Sequence, residues 1–248
     1  QKDSKENTEA LNKYQNYVEA IFKILKDDKA AEKAKQIVDF ERSVAKLMLT
    51  NEEDRNPNLS YNPQTMNELS KLVKNINLPQ YLKNVGVNID KVVVSEIRLY
   101  KQYDKFINEK NLPLLKDYLK YQLVTDNASN LTKELDELSF NFYHKELQGQ
   151  QEQRPMNKRA LSVINGILGE AFGKLYVEKY FPPKAKEEMV TLVDYLKKSF
   201  AEHIKNVTWM SDATKEKALH KLSTFKVKVG YPDKWKDYSK MSLSADAS

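Results

Sequence analysis

Three histidines are the residues best suited to acid–base or metal chemistry, and their spacing does not build a metal site. His144, His203 and His220 lie far apart in the sequence, and none has a second histidine four residues away. A helical zinc site of the H-E-x-x-H type needs two imidazoles one turn apart on one helix face, with a glutamate between them as base. The sequence therefore predicts no metal-binding residue in this chain.

Other catalytic patterns are also missing from the sequence. The chain has no Cys, which excludes a thiol nucleophile, a thiolate metal site and a disulfide. Its 6 Gly form neither a phosphate-binding loop nor the G-x-S-x-G turn of a serine nucleophile. Adjacent carboxylates such as Glu52 and Glu53 diverge on a helix, so surface solvation is favoured over acid–base work. No catalytic residue is predicted.

The basic charge of the chain raises the question of nucleic-acid binding. Lys and Arg number 41 against 35 Asp and Glu, giving a net charge of +6. Arginine is scarce, however, and it is the side chain that base recognition favours, so we interpret the charge as solvated surface and predict no nucleic-acid partner. No apolar run approaches the roughly 20 residues of a membrane span, and no signal-type segment stands at the N-terminus.

Apolar residues recur three and four positions apart along most of the chain, which predicts an all-α fold. Residues 11–25 and about 30–49 are expected to form an antiparallel helical hairpin. Strand content is expected to be minor, with short candidates at Val92–Val94 and Phe225–Val229. Among the 14 Tyr, those at helical spacing are interpreted as core residues in preference to base-stacking platforms.

The helix expected from Pro155 to Tyr180 contains an unusual set of glycines. Gly166, Gly169 and Gly173 share one helix face, although each costs about 1 kcal/mol relative to Ala. One interpretation is tight packing without chemistry; the other is a close approach of another backbone, with Asn165 or Glu170 hydrogen-bonding across the contact.

These residues also carry a family resemblance. The run Val163–Phe181 resembles the V-N-G…G-x-L-Y-V…F signature of the neprilysin-like zinc metallopeptidases, which include bacterial oligopeptidase O and the endothelin-converting enzymes. The blocks Trp209–Ala218 and Gly230–Asp233 also match, and Phe140–Pro155 looks closest to the bacterial branch. The motif residues that we expect to make structural, chamber or lobe contacts are Asn165, Gly166, Gly169, Glu170, Gly173, Tyr176, Trp209, Gly230, Tyr231 and Pro232.

The resemblance implies a two-lobed helical enzyme that encloses a chamber for oligopeptides. Its zinc ligands and catalytic glutamate lie downstream of the Gly230–Asp233 block, so this chain would be an N-terminal to middle portion that needs zinc only in the parent enzyme. By this likeness, residues 1–115 belong to the lid lobe, 116–181 pack near the catalytic lobe, and 182–248 lead back toward the lid.

The function that follows is a zinc endopeptidase, of which this chain shapes the chamber while the missing catalytic portion cuts the peptide. We expect the isolated chain to be inactive. The alternative is a helical interaction module that retains only the fold. The resemblance implies that the parent protein is periplasmic, secreted or anchored to the cell envelope of a bacterium, and the cytoplasm is the alternative location. The tail from Ser242 to Ser248 has no helix stop, and we expect it to open a further segment.

Overall fold

The computed structural model describes residues 5–242 and 244, and it confirms the all-α fold class. The single sheet of the described residues is antiparallel and pairs β1 (Pro63–Thr65) with β2 (Lys91–Val93). The α-helices are α1 (Lys5–Ile24), α2 (Ala30–Ala45), α3 (Pro57–Ser60), α4 (Met66–Leu72), α5 (Leu78–Asn84), α6 (Ile97–Tyr100), α7 (Leu112–Asn127), α8 (Lys133–Ser139), α9 (Met156–Tyr180), α10 (Pro183–Asn206) and α11 (Asp212–Ser223). The expectation about the tail falls mainly on residues outside the described part.

Backbone contacts divide the chain into two units, which we call unit 1 (Gln1–Gln153) and unit 2 (Arg154–Ser248). Four short 3₁₀ helices and one π-helix, all in unit 1, complete the helical elements: Glu53–Arg55, Tyr103–Lys105, Glu109–Asn111, Ala128–Asn130 and the π-helix Phe140–Glu146. The division at residues 115 and 181 that the resemblance implies stays a prediction.

The predicted helical hairpin opens unit 1. After α1, Lys26 adopts a left-handed conformation with φ 57°, and the Asp27 N–H donates to the Phe22 carbonyl at 3.0 Å. This arrangement satisfies carbonyls at the helix end and reverses the chain. Lys33 Nζ then donates to Asp27 at 2.7 Å and to Asp117 at 2.9 Å, which ties the turn to α7.

The core of unit 1 lies where α1 and α2 meet α7, α8 and the π-helix. Val18, Ile21, Phe22 and Ile37 are fully buried there, and removing each such side chain from water stabilises the fold by about 1.5–3 kcal/mol. The other buried members are Tyr17, Ala30, Ala34, Val38, Tyr121, Ala128, Leu135 and Phe142.

Local sequence signals set the middle of unit 1. Thr65 and Glu68 stand three residues apart before an apolar run, which predicts a capping box. The structure confirms it: the Glu68 N–H donates to Thr65 Oγ1 at 3.2 Å, and the Thr65 N–H donates to Glu68 Oε2 at 2.8 Å. The strand predicted at Val92–Val94 is observed one residue earlier, at Lys91–Val93, and its partner β1 directly precedes α4. The capped helix and the sheet are therefore consecutive parts of one segment.

Several helix boundaries in unit 1 differ from the sequence prediction, and α1 already begins at Lys5, before the predicted residue 11. α2 ends at Ala45, four residues before the predicted end, because the Leu47 N–H bonds to Val44 in a tighter turn. Apolar residues at helical spacing predict a helical run from Leu115 to about Leu147. The structure interrupts this run between α7 and α8 and changes it to π-helical geometry at Phe140. A π-turn spans one residue more than an α-turn, so it shifts the following side chains around the helix axis.

In unit 2, the helices begin and end close to the predicted positions. Ser211 caps α11 by accepting the Thr214 N–H at 3.3 Å. α9 has a kink at Leu168, where φ is −118° and ψ is 24°. Ile204 of α10 and Leu222 of α11 are buried. The strand predicted at Phe225–Val229 is wrong for the described residues, because this segment pairs with no other strand among them.

Candidate functional site

The ten motif residues occupy three places in unit 2. Six lie on α9, Trp209 precedes α11, and Gly230, Tyr231 and Pro232 follow the extended segment after α11. The structure brings four of them into one set of contacts: Glu170 and Gly173 from α9, with Gly230 and Tyr231 from the later block. Their contacts involve five further residues that are not among the ten: Phe181 and Asp233, which end the matching motif blocks, and Lys186, Trp235 and Lys236, which the sequence analysis did not single out.

Lys186 organises what we call the Tyr231 cluster, made of Phe181, Lys186, Tyr231, Asp233 and Trp235. Its Nζ donates to the Tyr231 carbonyl at 2.8 Å and to Asp233 Oδ1 at 2.6 Å. The same Nζ lies 4.4 Å from the centroid of the Tyr231 ring. The Lys186 ammonium therefore holds the backbone, a carboxylate and an aromatic face of one short segment.

The aromatic members of the cluster explain its glycine. Phe181 meets Tyr231 edge-on at 6.0 Å, and Tyr231 stacks on Trp235 at 5.9 Å with an interplanar angle of 8°. Gly230 has φ 68°, and a Cβ there would lie 2.8 Å from Phe181 Cε1. Glycine is thus required both by the left-handed backbone and by the close ring.

The glycine-rich helix contributes the other side of these contacts. A Cβ on Gly173 would lie 3.8 Å from Trp235 Cζ3, so the indole ring approaches the helix there. Glu170 accepts a hydrogen bond from the Lys236 N–H. Of the two interpretations left open for this helix, the hydrogen bond fits the one in which Glu170 bonds to another part of the backbone, and it joins α9 to the segment Gly230–Lys236.

Several motif residues make no such contact. No heavy atom of the described chain lies within 4 Å of a Cβ built on Gly166 or Gly169. Trp209 is 77% exposed, and Tyr176 is exposed while tilted against Tyr180 at 5.1 Å. Within the described residues, the expected close approach is therefore restricted to Gly173.

A sequence signal was available for some of the missed residues. Tyr231 and Trp235 are four residues apart beside a glycine and a proline, a spacing that lets two rings stack in a tight segment. Lys186 lies 45 residues before Tyr231 and resembles many other surface lysines in the sequence. Only the folded chain distinguishes it, because its side chain is 20% exposed while that of Asp233 is 97% exposed.

One ion pair, between Lys186 and Asp233, determines the electrostatics of the Tyr231 cluster. The Lys186 ammonium lowers the pKa of Asp233 below its ordinary value through their hydrogen bond. Because Asp233 is fully accessible to water, this pair positions the segment and contributes little to stability.

The histidines do not form a catalytic group. His144 Nδ1 lies 3.2 Å from Gln148 Oε1, and its ring stacks on Phe140. His203 and His220 lie in the last turns of α10 and α11. No group of three or more metal-ligating side chains occurs among residues 5–242 and 244. No helix in that same part of the chain is long and apolar enough to span a membrane.

A second polar group lies at the edge of the core of unit 1, where most of its side chains are partly buried. Glu41 of α2 is hydrogen-bonded to the hydroxyls of Tyr14 and Tyr118, and burial raises its pKa above the ordinary range. The Tyr121 hydroxyl donates to that of Tyr14 at 3.1 Å, and burial also raises the pKa of Tyr121. With neutral phenols around one carboxylate, this group fixes helix packing and contains no nucleophile.

The helices of unit 2 expose apolar surface that is typical of a protein core. The helical spacing of six apolar residues predicts a stripe on one face of α10: Met189, Leu192, Val193, Leu196, Phe200 and Ile204. The helix forms, but most of these residues are solvent-exposed in the described chain. The exposed large apolar residues of α9 and α10 are Met156, Leu161, Val163, Ile167, Phe172, Leu175, Tyr176, Tyr180, Met189, Val190, Leu192, Tyr195, Leu196 and Phe200. Exposed apolar side chains in such number on two helices favour an interaction face.

Comparison with known proteins places these observations in a family context. A sequence model described as peptidase family M13 matches residues 1–232. The chain is 26% identical over 247 residues to neprilysin-11 of Caenorhabditis elegans, covering 93% of this chain and 29% of that protein. It is 28% identical over 239 residues to a neutral endopeptidase of Lactococcus lactis subsp. lactis, covering 96% and 38%.

A solved structure agrees with the sequence comparisons. The zinc metalloprotease Zmp1 of Mycobacterium tuberculosis, in complex with an inhibitor, matches with a TM-score of 0.82 and 28% identity. The match covers 97% of this chain and 37% of that one. The chain therefore spans less than two fifths of the length of each of these three relatives.

Proposed function

Because this chain belongs to peptidase family M13 and represents its neprilysin-like N-terminal portion, we propose that it is the non-catalytic part of a zinc endopeptidase that hydrolyses oligopeptides. The observation that carries the proposal is the family match over residues 1–232. Relatives named neutral endopeptidase and zinc metalloprotease support the reaction class.

The zinc site is proposed to lie in a portion of the protein outside this chain. The separated histidines and the absence of a metal-ligating group among the described residues support this division. Bound zinc would polarise the peptide carbonyl and activate a water molecule. The residues of this chain would exclude bulk water and select substrates by size, since an enclosed cavity admits only chains that fit it.

The remaining portion of the same protein is the proposed partner of unit 2. The exposed apolar stripe of α10 and the exposed apolar residues of α9 support this, because helices in proteins gain most of their stability from packing of their apolar surface. Gly166 and Gly169 support it as well, since their side of α9 has open space in which a neighbouring backbone could pack closely.

The decisive experiment compares the 248-residue chain with the full-length protein from the same gene. Each is incubated with zinc and an internally quenched oligopeptide, after circular dichroism has shown that both are folded. We expect hydrolysis only by the full-length protein, with loss on chelation and recovery on adding zinc. Metal-dependent cleavage by the 248-residue chain would contradict the proposed division, and an inactive full-length protein would favour the helical interaction module.

Two further measurements test the finer parts of the proposal. If the chamber is enclosed, the full-length enzyme should cleave a short peptide and leave intact a folded protein that contains the same peptide sequence. Equal cleavage of the peptide and the protein would exclude a size-selective chamber. The proposed location outside the cytoplasm is tested by fractionating the source cells, and recovery of the protein only in the cytoplasmic fraction would be contrary to it.

A further inference from the structure

The segment Phe225–Val229 has the sequence pattern of a strand but pairs with no strand among the described residues. It runs without a turn or bend and alternates apolar residues with lysines. The Phe225 N–H donates to the Leu222 carbonyl at 3.3 Å. Beyond it, the N–H and C=O groups of residues 226–229 make no hydrogen bond within the described chain. Such a row of free backbone groups is a template for strand pairing.

Both ends of this segment are held in place. On one side, Leu222 of α11 is buried and Thr224 bonds back to the last turn of the helix. On the other side, Gly230 begins the stretch fixed by Lys186, Phe181 and Glu170. Because the chain is already restrained, pairing with a second strand would lose less conformational entropy than ordering a free loop.

The side chains indicate what kind of strand would fit. Phe225 and Val227 are exposed at 53% and 38%, so each would gain by being covered. Lys226 and Lys228 alternate with them and have no acidic partner among the described residues. Opposite charges on facing positions stabilise a strand pair, and like charges destabilise it. An acidic strand is therefore the complementary partner.

We infer that Phe225–Val229 accepts one added β-strand, bearing acidic side chains, from the portion of the same protein outside this chain. The inference rests on the proposed function, since it assumes that unit 2 packs against that portion. The length of the relatives supports this occupant, because more than three fifths of each lies outside the matched region. A second copy of this chain fits less well, since pairing two such edges would bring lysines together.

Hydrogen exchange measured by mass spectrometry tests the inference on the full-length protein and on the 248-residue chain. We expect every second amide of residues 226–229, on the edge that the added strand pairs, to exchange at least about tenfold more slowly in the full-length protein, because ladder hydrogen bonds protect those amides. Equal, rapid exchange in both proteins would overturn the inference. So would protection of the 248-residue chain that grows with its concentration, or protection that requires added substrate peptide.

Variants in the full-length protein sharpen the test. Neighbouring N–H groups of a strand point to opposite edges, so only one of Val227→Pro and Lys228→Pro should remove a ladder hydrogen bond. The double change Lys226→Glu and Lys228→Glu should return exchange toward that of the 248-residue chain. The matched control, Lys234→Glu with Lys240→Glu, alters the charge equally at exposed positions and should leave the protection intact. Equal effects of the two charge reversals would refute strand complementarity.

Peptide hydrolysis, measured on the same full-length sample, separates this inference from the proposed function. Protected amides in a full-length protein that shows no metal-dependent hydrolysis would support the added strand and contradict the proposed endopeptidase function. Metal-dependent hydrolysis together with unprotected amides would contradict the added strand and leave the proposed function standing.

Discussion

Units 1 and 2 are both helical, yet they differ in what their apolar residues contact. Of the 19 buried apolar residues in the described chain, 17 lie in unit 1 and only Ile204 and Leu222 lie in unit 2. The charges differ as well: residues 1–153 contain 23 Lys and Arg against 24 Asp and Glu, and residues 154–248 contain 18 against 11. Amphipathic helices therefore do not by themselves define a self-sufficient core.

The largest expected effect tests this difference in burial directly. Ile21→Ala removes a fully buried side chain of unit 1 and should lower the free energy of unfolding by about 2–5 kcal/mol. The matched change Leu196→Ala in unit 2 removes a side chain that is 60% exposed and should alter it by less than about 0.5 kcal/mol. Urea unfolding of the 248-residue chain, followed by circular dichroism, measures both. A comparable loss for Leu196→Ala would mean that unit 2 has a core of its own.

An intermediate effect is expected where unit 2 does make fixed contacts. Gly230→Ala places a Cβ 2.8 Å from Phe181 at a positive φ and should destabilise the Tyr231 cluster by more than the backbone cost of about 1–2 kcal/mol. Trp235 fluorescence in a Trp209→Phe background should show the cluster opening at lower urea concentration.

Two controls separate the ring clash from the backbone cost. Gly149 also has a positive φ, of 74°, and no atom is found within 4 Å of a Cβ built on it. Gly149→Ala should therefore show the backbone cost alone in thermal unfolding. Adding Phe181→Ala to Gly230→Ala should restore part of the loss in the cluster by removing the clashing ring. If the second change brings no recovery, the ring does not explain the glycine.

The smallest expected effects concern pH and two carboxylates of unit 1. Burial raises the pKa of Glu41, so its contribution is most favourable at low pH and is lost as the pH rises through the folded-state pKa. The ion pair with Arg98 lowers the pKa of Glu53 to about 2, so its contribution is present at neutral pH and is lost as the pH falls toward that value.

Glutamine substitutions measure both signs. Glu41→Gln should leave unit 1 at least as stable as the parent at neutral pH and flatten the decline on raising the pH, whereas Glu53→Gln should flatten the decline on acidification. Thermal unfolding across the pH range gives both slopes. Slopes of the same sign for the two carboxylates would contradict the packing described around Glu41.

Much of the local structure was predictable because its causes are local. The capping box at Thr65 and Glu68 and the cap at Ser211 depend on residues three positions apart, so the sequence contains all the information needed. The existence of a strand near Val92 was predictable from its β-branched run. Its pairing with Pro63–Thr65 was not, because the two segments are separated by α4 and α5.

The candidate site was only partly predictable for the same reason. The family resemblance identified Glu170, Gly173, Gly230 and Tyr231. In the structure, Glu170 and Gly173 of α9 contact Lys236 and Trp235, which lie in the same segment as Gly230 and Tyr231. Lys186 was missed, since nothing in its flanking residues distinguishes it from other lysines. The π-helix at Phe140–Glu146 was also missed, because an apolar pattern read at helical spacing does not reveal one extra residue per turn.

By itself, the sequence determined the helical class, most helix starts and the absence of a histidine pair that could bind zinc, because periodicity, capping and motif spacing act within a few residues. The tertiary structure decided which apolar stripes are buried and which glycine has no room for a side chain. It also decided that Phe225–Val229 stays unpaired within the described chain. Those properties depend on which distant segments meet, and a packing partner far along the chain leaves no mark in the local pattern.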